Sequence, residues 1–159
     1  MYLFRYVLVA LMLAFFAAGN IQSQNTGTDA TQNQTVAGAQ TVDYCDLLQH
    51  SEKFKNQMIR VRALYETDFE KAFITSSACP MPILRTWVDF DGHWESRTTR
   101  RVRKTVSRAK WGVPLDVVFV GVFKTGGRYG HMDMYMFSIE VYKVEAATAS
   151  KNASTSPKP

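Results

Sequence analysis

The sequence is poor in the side chains that do most acid, base and metal chemistry. It has two cysteines and three histidines in 159 residues, and His50, His93 and His131 stand far apart. No H-E-x-x-H, G-x-S-x-G or phosphate-loop spacing occurs, so the common signatures of zinc proteases, serine hydrolases and nucleotide binders are excluded. No C-x-x-C exists either, which argues against a redox or metal pair. With 9 Gly and 5 Pro the chain is no collagen. Its one long apolar run, Tyr6 to Phe16, falls short of the roughly 20 residues a spanning helix needs. Apolar residues at 46% and aromatics at 13% still supply a core, which excludes full disorder.

The two ends differ from the middle. Residues 1–19 read as a secretory signal, with Arg5 as the positive n-region, Tyr6 to Phe16 as the h-region, and Ala17-Ala18-Gly19 at the cleavage point. Cleavage is expected after Gly19, with Ser23 as the alternative. Residues 20–40 are Gln-, Asn-, Thr- and Gly-rich with one charge, Asp29, and read as a flexible linker. Residues 146–159 share that composition and read as a disordered tail. The domain is thus expected over 41–145, in a periplasmic or secreted protein.

In an exported chain Cys45 and Cys79 are most economically a disulfide. Such a loop stabilises by about 3–4 kcal/mol in the chain-entropy account. After removal of 1–19 the chain keeps 18 basic and 14 acidic residues, net +4. Arg97, Arg100, Arg101, Arg103, Lys104, Arg108 and Lys110 form a segment of seven positives without an acid, which leaves −3 for the rest.

Periodicity gives the elements. A short helix is expected around Tyr44 to Leu48, capped by Thr41 or Asp43. Ile59, Val61, Ala63 and Tyr65 alternate as a strand, and Ala72 to Thr75 and Ile83 to Phe90 follow as two more. Asp91-Gly92 predicts a hairpin turn with His93 and Trp94 returning. From Arg97 to Lys110 the period becomes helical, with Thr98, Val102, Val106 and Ala109 on one stripe opposite the cations. Gly112 and Pro114 end it. Val117 to Phe123 is a strand, Thr125-Gly126-Gly127 a turn, and Met134 to Val144 a last strand with Tyr135, Phe137, Ile139 and Val141 on one face.

This order predicts a mostly β fold. It fits a five-stranded OB-like barrel with a short N-terminal helix and a helix between strands 3 and 4; a sandwich or α+β sheet is the alternative. Tyr44-Cys45-Asp46-Leu47, Ile59-Arg60-Val61-Arg62-Ala63, Gly121 and Tyr129-Gly130-His131 carry a resemblance to small exported bacterial OB-fold-like domains of uncharacterised function. It covers Tyr44 to Val144, about two-thirds of the chain; Leu64 stands where a glycine usually follows the first strand. The resemblance implies fold and compartment, and no activity.

Two constellations carry chemistry. The basic helix suits an anionic polymer or an anionic membrane surface, with Trp94 and Trp111 at its flanks. Its charges would otherwise be a solvated face. His131, Met132, Met134 and Met136 offer an imidazole and thioethers, a set suited to Cu(I). That string is similar to periplasmic copper-chaperone OB domains, although no Trp stands at the nearby upstream spacing. Alternatively the methionines fill the core. Asp89, Asp91 and His93 read as turn residues, and Glu66, Asp68 and Glu70 as a solvated loop. The expected function is therefore non-enzymatic binding of an anionic partner without a cofactor, with copper binding as the alternative.

Overall fold

In the computed structural model, which describes residues 36–79 and 84–150, the alternation at Ile59, Val61, Ala63 and Tyr65 forms the buried face of the strand Met58–Thr67 (β2). A three-residue strand, Gln40–Val42 (β1), runs parallel along one edge of it. Between them lies the helix Tyr44–Gln49 (α1). Of the two expected caps Asp43 is the one used: its carboxylate accepts from the amides of Cys45 (2.8 Å) and Asp46 (3.3 Å). The Tyr44 hydroxyl donates to the Ile74 carbonyl at 2.8 Å and lies 3.1 Å from the Thr86 hydroxyl. Burial, partly offset by Thr86, pushes this phenol up to about 12. Beside it, Cys45 and Cys79 form the expected disulfide, with 5.4 Å between their Cα atoms.

Four further strands complete one sheet: Ala72–Thr75 (β3), Thr86–Phe90 (β4), Leu115–Tyr129 (β5) and Tyr135–Ala149 (β6). β2 pairs with β3 and β3 with β4, both antiparallel; β4 pairs with β6 in parallel. β6 pairs antiparallel with β5, and β5 returns to β2 from Leu115↔Tyr65 to Val122↔Met58. The mixed six-stranded sheet therefore closes into a ring, with β1 as an added edge. Inside it Ile59, Val61, Ile74, Phe119, Phe123 and Ile139 are fully buried, and Phe123 stacks on Phe137 at 5.8 Å between ring centroids. Where β5 crosses β6, a Cβ on Gly121 would lie 2.3 Å from the Glu140 carbonyl oxygen, so only glycine permits the approach.

The ring corrects several expectations. Asp91-Gly92 makes no hairpin, because β4 takes β6 as its parallel neighbour and no strand returns. The Asp91 carboxylate instead accepts from the His93 amide, and the helix Trp94–Arg97 (α2) follows with His93 at its N-cap. The single basic helix is two: α2 ends at Thr98, and Arg100–Val106 (α3) follows. Thr98 and Thr99 are extended because the buried Thr98 hydroxyl accepts from the Val144 amide at 3.0 Å, a bond that a helical turn would withdraw from the sheet. Thr125-Gly126-Gly127 is a bulge inside β5, and the chain reverses at Gly130 to Met134.

Boundaries shift as well. β4 begins at Thr86, and β6 runs past Val144, with Ala146 to Ala149 pairing Val118 to Leu115, so the first tail residues belong to the sheet. At the other end Val36–Gly38 is a 3-10 turn and Ala39 is buried, inside the expected linker. The expected signal segment and residues 20–35 and 151–159 lie outside the described residues. The described residues belong to one compact unit. Among the described residues no helix is long and apolar enough to cross a membrane.

Candidate functional site

The apolar stripe orients the basic segment. Thr98 and Val106 are buried, and Val102 and Ala109 pack half-buried against the core, so the cations project away from the ring. Two of the seven are absorbed by the fold. Arg97 pairs with Asp91 and lies 5.0 Å over the Tyr142 ring. Burial raises the Asp91 carboxyl, but hydrogen bonds from Arg97 and the His93 amide outweigh it and hold the group below the usual carboxylate range. Arg103 donates to the Glu95 carbonyl at 3.2 Å.

The other five, Arg100, Arg101, Lys104, Arg108 and Lys110, make no ion pair or side-chain hydrogen bond among the described residues. Four of them, Arg101, Lys104, Arg108 and Lys110, line one open groove of about 510 Å³. Ala109, Val113 and Leu115 supply its apolar part. Unpaired cations gathered around a concavity concentrate positive potential there, which attracts polyanions and anionic surfaces.

The methionines are neither in the core nor joined to the histidine. Met132, Met134 and Met136 are 77%, 60% and 56% exposed, which overturns their expected alternative role as core filling. All three line a second groove, of about 480 Å³, beside the β5–β6 turn. His131 does not line that groove, and its Nε2 lies 3.6 Å from Glu70 in the β2–β3 connection. Among the described residues no three His, Cys, Asp or Glu side chains gather as a metal-holding group. Asp68 serves its own loop, accepting from the amides of Glu70 and Lys71 at 2.9 and 2.7 Å.

A third groove gathers residues that no motif of the sequence marks. Trp87 stands opposite Phe73 in the β3–β4 ladder, Tyr135 lies 5.2 Å from Trp87, and the Arg85 guanidinium sits 4.4 Å over Phe73. Lys71, Arg85, Met134 and Met136 border a groove of about 550 Å³ there. The clue was parity: Arg85, Trp87 and Asp89 alternate with the buried Thr86 and Val88. Gly130 packs on this cluster at φ +72°, and a Cβ there would fall 2.5 Å from the Trp87 ring.

No protein-family model matches the chain, and no curated protein matches its sequence.

Proposed function

We propose that the protein is an exported, non-enzymatic binding module that holds an anionic partner through the segment Arg97 to Lys110. The carrying observation is the groove bordered by Arg101, Lys104, Arg108 and Lys110, whose charges no acid neutralises among the described residues. Arg97 and Arg103 hold the segment in place. The disulfide supports an oxidising, non-cytoplasmic compartment. The order β2-β3-β4-β6-β5 closing on β2, with α2 and α3 between the third and fourth ring strands, supports an OB-like barrel carrying β1 as an extra strand.

The test is retention on immobilised heparin across a salt gradient. Arg101→Glu, Lys104→Glu and Arg108→Glu together should abolish retention while circular dichroism stays native, since exposed changes of this kind shift stability by only ~0.5 kcal/mol each. Elution of the triple variant at the wild-type salt concentration overturns the reading.

A second reading rests on the convergence of Met132, Met134 and Met136 on one groove. Three thioethers match the donor chemistry of Cu(I), and bound copper would be held by them, with His131 outside the groove and near Glu70. Competition for Cu(I) against a colorimetric chelator should be lost in Met134→Leu/Met136→Leu and be insensitive to salt. Undiminished competition by that variant removes this reading.

A further inference from the structure

Trp111 is 82% exposed, while Trp87 and Trp94 are half-buried among aromatic neighbours. Its position is fixed by a tight turn: the Val113 amide donates to the Lys110 carbonyl at 3.0 Å, and Gly112 takes φ +69°. Val113, the other apolar residue of that turn, is 38% exposed. An aromatic wedge of this size held in water has no role in the fold. It follows Lys110 directly in sequence, and Val113 of the same turn lines the groove with Arg101, Lys104, Arg108 and Lys110.

We infer that the connection Trp111 to Pro114 docks the domain on an anionic lipid bilayer, with Trp111 entering the headgroup layer and the surrounding cations meeting lipid phosphates. This rests on the anion-binding reading of the same groove and names its partner. Indole favours the bilayer interface, where its apolar body and N–H are both satisfied. Each lysine or arginine held near an anionic membrane strengthens binding roughly fivefold. A single-stranded nucleic acid would instead call for aromatic platforms in series. Among the described residues the other exposed large apolar side chains, Phe69, Met132, Met134 and Met136, belong to the β2–β3 connection and the β5–β6 hairpin.

The experiment is flotation of the exported protein, without residues 1–19, with vesicles of phosphatidylcholine alone or of equal parts phosphatidylcholine and phosphatidylglycerol, with tryptophan emission recorded in parallel. The wild type should float only with the anionic vesicles, and its emission should shift to the blue and gain protection from acrylamide. Trp111→Phe should lose that spectral change. Trp111→Ala should bind anionic vesicles about tenfold or more weakly, yet elute from heparin as the wild type does. Flotation with unchanged emission, or heparin retention without flotation, overturns membrane docking and leaves the anion reading intact. Retention of single-stranded DNA with Trp111 quenched and no flotation overturns it in favour of a nucleic acid. Failure on heparin, DNA and vesicles alike overturns both.

Discussion

Arg97 and Arg101 stand four positions apart in one basic run, yet they do different work. Arg97 is committed to Asp91 and the Tyr142 ring, whereas the Arg101 side chain borders the groove without an ion pair or hydrogen bond among the described residues. Reversing them should separate stability from binding. Arg97→Glu sets a like charge against Asp91 and should cost about 1–2 kcal/mol in urea unfolding, with heparin elution near the wild-type position. Arg101→Glu should lower heparin elution and leave the unfolding curve in place. At Gly130 the constraint is steric. Gly130→Ala combines a positive φ with a clash against Trp87, so a loss of about 1–3 kcal/mol is expected, read as a lower urea midpoint.

At the scale of elements, the break between α2 and α3 turns on one hydroxyl. Thr98→Val keeps the shape of the side chain but orphans the Val144 amide and should lower stability by about 1–3 kcal/mol in thermal or urea unfolding; Thr98→Ser should recover most of it. This break also marks where local pattern stopped being informative. The strands β2 and β6 were legible from alternation, the middle of β5 from its continuous apolar run, and the helix α1 from its cap, all of them local signals. So was the stripe Thr98, Val102, Val106 and Ala109, and with it the outward direction of the cations. What the pattern omitted was set by partners distant in sequence. The parallel pairing of β4 with β6 turned a hairpin signal at Asp91-Gly92 into a helix start, and the demand of Val144 for an acceptor split the basic helix. Gly126-Gly127 read as a turn because composition does not distinguish a turn from a bulge. For the candidate site, the sequence could count the positives but could not show that Asp91 claims Arg97, or that Met132, Met134 and Met136 all escape burial.

Taken as a whole, the ring is held at its margins by covalent and ionic ties. Cys45–Cys79 fastens α1 to the β3–β4 connection, and reduction should lower stability by about 3–4 kcal/mol, seen as a reduced melting temperature in the presence of thiol. Arg60 grips Glu145 at 2.8 and 3.2 Å, and Arg62 grips Asp116 at 2.9 and 2.6 Å. Hydrogen bonds from these arginines hold both carboxyls below their ordinary range against the opposing effect of burial, and Asp91 is held low as well. Depressed carboxyls stabilise the folded state above their unfolded values near pH 4 and lose that contribution as pH falls through the folded ones. Melting temperature should therefore be level from neutrality to about pH 5 and fall below about pH 4. Arg60→Gln should flatten that fall.

The strand β6 is hydrogen-bonded to β4 on one side and β5 on the other, and its backbone also serves Thr98. In sequence β6 follows every other strand of the ring. A polypeptide delivered N-terminus first presents β1 to β4 without the strands that close the ring, since β5, the second neighbour of β2, and β6, the second neighbour of β4, pair with residues some fifty or more positions earlier. Closure waits for β6, and such long-range pairings fold slowly. Until then the apolar faces of β2 and β4 remain open, and the nascent domain needs protection from its own kind during that interval.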